Sequence, residues 1–476
     1  MTTYATTPVG AASAAQPLTA PRPRPRPATR GWNVAATTVI WLTSLFVVAL
    51  WVSGGGLQAL VGMNGETLTT LGRITGLVSA NLLLYQVLLM ARIPLFERGF
   101  GRDDITRMHR LVGFWSFWLM AAHIALIAVG YAVTAQVDVL AELWTLVVDY
   151  PGMLLATAGT LLLVLVVVTS IRRSRQRLRY ESWHLLHLYA YLGVGLALPH
   201  QLWTGADFLS SPAATAYWWM LWAAAAASII VFRVALPLAR SWRHGLRVAS
   251  VTPDGTDGVA VRVAGRNLHR LNARPGQFFV WRFMDGPGWT RGNPFSLAAA
   301  PRGGGLEIAA RVIGDGTGRL RSLRPGTRVL VEGPYGTMTG AARTRSKMLF
   351  IAAGAGIAPL IAIAEGESFA PGDATVLTRD SDPRAGMRRR EVNDLVMRRG
   401  LRHIDLPGPR SHGASPWLPA SHAAWRGSDL LRFVAPDLES YDVFVCGPKA
   451  WMDAVVRDLR AAGVASNAIH TESFTV

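Results

Sequence analysis

Six apolar stretches fill the first half of the chain, at 33–52, 72–91, 111–130, 152–171, 184–203 and 214–236. Each is close to the roughly twenty residues a helix needs to cross the hydrocarbon of a bilayer, where unpaired backbone groups find no water. The pattern predicts a membrane α-helical bundle of six spans. The first stretch ends without a small-residue cleavage site and follows a tail of more than thirty residues, so it reads as a span and not as a signal peptide.

Arginine sets the expected orientation. The segments 92–110 and 172–180 carry five arginines each, and Arg233, Arg240, Arg243 and Arg247 cluster at the end of the sixth stretch. The alternate loops, 53–71, 131–150 and 204–213, have no Lys or Arg. Excess positive charge stays on the cytosolic side, which puts both termini there and makes the chain a multi-pass protein of the cell (plasma) membrane. The net charge of +18 comes almost wholly from arginine, with Lys347 and Lys449 the only lysines. Much of it sits where topology requires it and no nucleic-acid module is visible, so nucleic acid is excluded as a partner. The tail 1–32, with its PRPRPRP run, is expected to be extended and disordered. A single cysteine, Cys446, rules out an intrachain disulfide.

Within the apolar half lie four spaced histidines, His109 with His123 and His187 with His200. An ionisable side chain in a span is costly and is by default functional. Fourteen residues separate the first two, which gives a rise of about 21 Å with the rings about 40° apart in phase. Thirteen separate the second two, which leaves them about 140° out of phase on an ideal helix. Pro199 precedes His200, and Gly193 and Gly195 lie just before it, so a proline distortion is expected to correct the phase. The set reads as axial ligands of two stacked haems; His184, one turn before His187, reads as structural.

Beyond residue 244 the texture changes to short β-type runs at 246–251, 259–263, 277–283, 306–312 and 328–332, expected to form a small antiparallel barrel. From about 342 an apolar strand at 348–352, a Gly-rich turn, a helix from Ile357, and strands at 374–378 and 441–445 predict a doubly wound α/β domain. The expected domains are thus the tail 1–32, a transmembrane domain 33–238, a barrel 244–341 and an α/β domain 342–476. Asn293, Pro294, Phe295 and Ser296 offer an aromatic face and a hydroxyl suited to an isoalloxazine ring and its N5. Arg311 and the turn Gly314-Asp315-Gly316-Thr317 suit a pyrophosphate. Gly354-Ala355-Gly356-Ile357-Ala358-Pro359 suits a second dinucleotide, and Cys446-Gly447-Pro448 closes the last strand of the set. Arg379, at the end of the 374–378 strand, suits the 2′-phosphate of NADPH.

These motifs in this order resemble the ferric reductase and NADPH oxidase superfamily from about Gly72 to the C-terminus. The resemblance implies a six-span domain with two b-type haems, paired through His109 with His187 and His123 with His200, joined to a cytosolic ferredoxin reductase-like module that binds FAD and NADPH (or NADH). It also implies that Cys446 lies by the nicotinamide, that Glu472 and Phe474 close over the flavin and hydride site with Ser296, and that Arg73 lies near the outer haem. The family's histidine before Pro-Phe is Asn293 here, and a second histidine one turn beyond the outer ligand in oxygen-reducing members is Ile127. The expected activity is electron transfer from NAD(P)H across the lipid bilayer to a small-molecule acceptor, a ferric chelate or oxygen. Two other readings stay open: a haem-bearing subunit serving a protein redox partner, and a non-redox transporter or sensor with a regulatory nucleotide module.

Overall fold

The computed structural model describes residues 29–61, 65–100, 102–171, 174, 180–286, 288–289, 291–301 and 305–472. Most of the expected tail, most of the arginine-rich segment 172–180, and Phe474 lie outside the described residues. The chain divides into two compact units, one within Ala28–Ala239 and one within Arg240–Val476.

In the first unit the apolar stretches are helices: α1 Thr29–Ser53, α2 Gly65–Met90, α3 Arg102–Ala135, the shorter α4 Val139–Asp149, α5 Met153–Ser170, α6 Tyr180–Trp203 and α7 Pro212–Ser228. The last continues as a π-helical segment, Ile229–Ala235, and a further α-helical piece, Leu236–His244. Among the described residues, five helices are long and apolar enough to cross a membrane: Val34–Ser53, Glu66–Met90, Asp104–Ala135, Met153–Ser170 and Pro212–His244. The helix with His187 and His200, α6, has 24 residues but is not among the five. His184, His187, Pro199, His200 and Gln201 dilute its apolar surface. It also runs unbroken through Pro199, so the expected distortion is not a break.

Small residues set how closely these helices pack. A Cβ on Gly159 of α5 would stand 2.6 Å from the Gly193 carbonyl oxygen of α6, and one on Gly193 would stand 3.0 Å from the Gly159 oxygen. Gly193 is thus a place of close helix approach. Large side chains fill the gaps elsewhere, with Trp51 of α1, Leu77 and Leu84 of α2 and Trp218 of α7 in one buried cluster.

The second unit opens with two three-stranded antiparallel sheets, ordered β1-β2-β5 and β4-β3-β6. The strands are β1 Arg247–Asp254, β2 Gly258–Ala264, β3 Phe278–Phe283, β4 Asn293–Ser296, β5 Gly305–Arg311 and β6 Val329–Tyr335. Bridges Leu297 to Ile308 and Arg247 to Arg328 join the sheets at both seams. The inward-facing residues Val259, Val261 and Val263 of β2 meet Phe279, Trp281 and Ile308 in a core that excludes water.

A five-stranded parallel sheet follows, ordered β11-β10-β7-β8-β9. Its strands are β7 Lys347–Ala353, β8 Ala374–Arg379, β9 Arg402–Asp405, β10 Tyr441–Cys446 and β11 Ile469–Glu472, with helices α8 Ile357–Gly366, α9 Arg389–Arg399, α10 Gly427–Val434 and α11 Lys449–Ala461 between them. Both faces are covered, and β7, β8 and β10 are almost wholly buried, as parallel strands require. The strand order reverses between β7 and β10, and open α/β sheets bind ligands at such a point, outside the carboxyl ends of the strands.

Candidate functional site

The membrane unit gathers the four histidines into two couples. The ring of His109 on α3 faces that of His187 on α6, with centroids 6.1 Å apart and planes at 66°. His123 and His200, from the same two helices, stand 6.3 Å apart at 51°.

Three of the four Nδ1 atoms have a partner. His123 Nδ1–H donates to the Gly72 carbonyl of α2 at 2.7 Å. His200 Nδ1 lies 2.6 Å from the Thr204 hydroxyl, which itself donates to the His200 carbonyl at 2.8 Å. That hydroxyl has one proton, so the ring nitrogen must be the donor. His187 Nδ1 lies 3.2 Å from Ser170 Oγ at the end of α5. Wherever Nδ1 carries the proton, Nε2 keeps its lone pair. Histidine–metal sites use this outer-nitrogen bond to fix ring and tautomer.

Glycines make room for the rings. A Cβ on Gly76 would sit 2.5 Å from His123 Nδ1, and one on Gly72 would sit 2.9 Å from the Ile127 side chain. The Gly72-x-x-x-Gly76 face of α2 therefore lets α3 approach with its imidazole between them. Sequence reading missed these anchors. Thr204 is legible in retrospect, four residues beyond His200 on the same helix face, and Gly72 with Gly76 is a small-residue repeat. Ser170 gives no such signal. Arg73 is committed to Asp207, with Nε 2.7 Å from Oδ2 and a second bond from Nη2 to Oδ1.

In the second unit the 354–359 turn and the Cys446-Gly447-Pro448 segment meet at the carboxyl edge of the parallel sheet. Gly354 has φ +54° and opens the turn after β7. A Cβ on Gly356 would lie 2.1 Å from the Cys446 carbonyl oxygen, so only glycine lets this turn rest on the end of β10. Ile357, Ala358 and Pro359 form the buried first turn of α8, with Ala355 beside them. Gly447 packs on Trp451, and Pro448 precedes α11. Cys446 pairs in register with Glu472 of β11, and its thiol donates weakly to the Glu472 carbonyl at 3.7 Å. Burial first, and then the nearby Glu472 charge, raises the thiol's pKa well above its usual value. It stays protonated and is no nucleophile.

Asn293-Pro294-Phe295-Ser296 is itself a strand, β4, held to β3 in register and by the Trp281 indole donating to the Phe295 carbonyl at 3.0 Å. Ser296 Oγ is buried and has no hydrogen-bond partner among the described residues. The Asn293 side-chain oxygen faces Gly316, and Arg311 reaches toward Gly354 while lying 3.6 Å from Asp257. The Thr317 hydroxyl accepts from the amides of Ile313 and Gly314 at 3.0 and 3.3 Å. It caps the Gly314-Asp315-Gly316 turn, where the sequence had offered it to a phosphate.

Arg379 requires a correction. Its guanidinium is buried and donates to the carbonyls of Trp417 at 3.1 Å, Asp380 at 2.8 Å and Pro409 at 3.2 Å. The side chain turns inward to tie three loop carbonyls together, and is not presented to a 2′-phosphate. The acid after it, Asp380, is buried, with Oδ1 unpartnered among the described residues. Burial first and the Asp405 charge next push its carboxyl upward.

Residues 75–198 match the profile of the family described as Ferric reductase like transmembrane component. The second unit is similar to reductase components of known systems. The reductase subunit Stc4 of stachydrine N-demethylase from Rhizobium meliloti is 26% identical over 246 residues, covering 48% of this chain and 66% of that protein. The ferredoxin reductase component of 3-ketosteroid-9-alpha-monooxygenase from Rhodococcus rhodochrous is 26% identical over 235 residues, covering 48% and 64%. The chain thus spans just under two thirds of the length of these relatives. Among solved structures, the ferredoxin reductase in carbazole 1,9a-dioxygenase aligns with TM-score 0.38 and 22% identity over 49% of this chain and 69% of that one. The FAD/NAD binding domain of nitric oxide dioxygenase from Vibrio cholerae aligns with TM-score 0.39 and 19% identity over 48% and 99%. The chain has the architecture of the ferric reductase and NADPH oxidase type: a ferric reductase-like transmembrane domain followed by a ferredoxin reductase-like module.

Proposed function

We propose that the chain is a six-span oxidoreductase of the plasma membrane, with cytosolic termini, carrying electrons from cytosolic NAD(P)H through FAD and two b-type haems to an extracytoplasmic acceptor. The observation that carries this reading is the pair of matched imidazole couples. With metal–nitrogen bonds of about 2 Å and each nitrogen about 1.1 Å from its ring centre, two rings sharing one iron stand about 6 Å apart. The couples, at 6.1 and 6.3 Å, fit that span. Each couple would thus offer one ring nitrogen from each of two helices to a metal held between them.

When bound, the flavin supplies hydride acceptance and one-electron release, and the haems supply one-electron carriage. The chain's own residues bind, orient and exclude water. Residues 244–341 hold the flavin lobe, with Phe295 beside the ring, the Ser296 hydroxyl as donor to N5, and the 311–317 turn at the pyrophosphate. Residues 342–472 would hold the nicotinamide nucleotide, with the Gly354–Ala358 backbone at its phosphates and Cys446 and Glu472 around the hydride position. No side chain needs to act as general acid or base. His109 with His187, and His123 with His200, fix the two irons, each ring held from its far nitrogen or by close packing.

The relatives are named as the reductase subunit of a demethylase and the reductase component of a monooxygenase, which favours a second reading in which a protein partner takes the electrons. The test of the main reading is the spectrum of purified full-length protein from haem-replete cells. We expect a Soret band, a reduced b-type α-band and two haems per chain; protein without haem overturns the proposal.

A further inference from the structure

We propose that Asp207 is a positioning residue for the His123–His200 couple, acting as one arm of an ion-pair clamp with Arg73. The inference rests on the haem reading above. Each ring of that couple is held at Nδ1 by a group beside the clamp. On one side, Gly72 accepts from His123 at 2.7 Å, and Arg73 is the next residue of α2. On the other, Thr204 accepts from His200 at 2.6 Å, and Asp207 lies three residues further on.

The segment with Asp207 is itself rigid. The amides of Thr204 and Gly205 both return to the His200 carbonyl, at 3.0 and 3.1 Å, and Phe208 N–H closes on the Gly205 carbonyl at 3.0 Å. A Cβ on Gly205 would lie 2.4 Å from the Gln201 carbonyl oxygen, so the tight exit from α6 depends on glycine. Phe208 stacks on Trp218 of α7, with centroids 4.1 Å apart and planes at 10°. Ser210 Oγ–H donates to the Asp207 carbonyl at 3.1 Å. The Asp207 side chain is 15% exposed and that of Arg73 42%.

The two-point fork between guanidinium and carboxylate fixes direction as well as distance, which a single contact does not. It closes a circuit from His123 through Gly72, Arg73, Asp207 and Thr204 to His200. The His109–His187 couple stands outside that circuit, since His187 is held by Ser170 at 3.2 Å. Groups that orient a ligand from behind typically change metal affinity by about 10–100-fold when removed. Loss of the fork therefore acts on one haem and spares the other.

The experiment uses full-length protein in detergent, with haem content, low-temperature EPR and redox titration of Asp207→Asn, Arg73→Gln and the exchange Arg73→Asp with Asp207→Arg. To identify which haem responds, each variant is repeated with His187→Ala, which leaves only the His123–His200 site. The single variants are expected to perturb one low-spin signal and one potential, with haem affinity at that site down by about 10–100-fold. The exchange is expected to recover part of the loss. Unchanged spectra and potentials in the conservative Asp207→Asn variant overturn the clamp, as does equal disturbance of both haems or an exchange no better than the singles. Absence of haem from the unmodified protein overturns the underlying reading instead.

Discussion

At the end of β8 the Arg379 guanidinium is spent on three carbonyls, so its removal should act on stability and not on coenzyme choice. Each buried carbonyl left without a partner costs on the order of 1–3 kcal/mol, and Arg379→Ala should lower the denaturation midpoint while the NADPH to NADH ratio of kcat/KM stays fixed. Asp380 is the acid that follows it. A carboxylate at the end of the second strand accepts a ribose 2′-hydroxyl and repels a 2′-phosphate, so Asp380→Asn should shift the ratio toward NADPH. A shift with Arg379→Ala and none with Asp380→Asn would restore the phosphate reading. The sequence marked the right place here and misjudged the side chain, because the carbonyls that capture Arg379 lie on loops 30 and 38 residues away. Asp207 was hidden for the same reason: its partner is 134 residues distant, and an acid in a polar loop looks like any other. Histidines spaced along apolar helices needed no partner to be noticed.

Among elements, the α2–α3 contact makes the sharpest demand. Even alanine at Gly76 would put a methyl 2.5 Å from His123 Nδ1, a distance that forces the ring or the helix to move. If the two couples hold haems as proposed, Gly76→Ala should lose or shift the one at His123–His200 while His109–His187 keeps its own, read as one haem per chain in place of two. Retention of both with native spectra would show that α2 yields without cost. The elements themselves were mostly legible, since long apolar helices and buried parallel strands carry strong periodic or continuous signals. The exceptions have physical reasons. Strand β4 contains Pro294 and was read only as a binding motif, because proline ordinarily argues against a strand. Strands β9 and β11 have four residues each with mixed burial, too short for a pattern. Both rings of α6 meet partners on α3 while the helix stays continuous through Pro199.

For the whole molecule, charge at the His123–His200 end bears on what can take the electron. Gly72, Gly152 and Thr204 lie at that end, and the loops that continue from them, 53–71, 131–150 and 204–213, contain no Lys or Arg. Arg73 is the nearby cation, and its charge is matched by Asp207. Asp138, at the start of α4, and Asp149, at its end, add negative charge. Such a surface draws cations and repels anions over about 10 Å at moderate salt, and the effect weakens as salt rises. On the proposed haem reading, after anaerobic reduction through NAD(P)H, reoxidation by hexaammineruthenium(III) should slow as ionic strength rises, while reoxidation by ferricyanide should speed up. The sign of each salt dependence is independent of driving force, so the two probes can be compared despite their different potentials. Oxygen, which is neutral, should show almost no salt dependence. It should also react more slowly than a cationic ferric complex, because Ile127, packed on Gly72, offers no hydrogen bond to a bound oxygen. Stopped-flow traces at several salt concentrations decide the matter. Ferricyanide slowing with salt would place a cationic docking surface at this end, and oxygen outrunning every metal complex with stoichiometric superoxide would make the protein an oxidase despite Ile127.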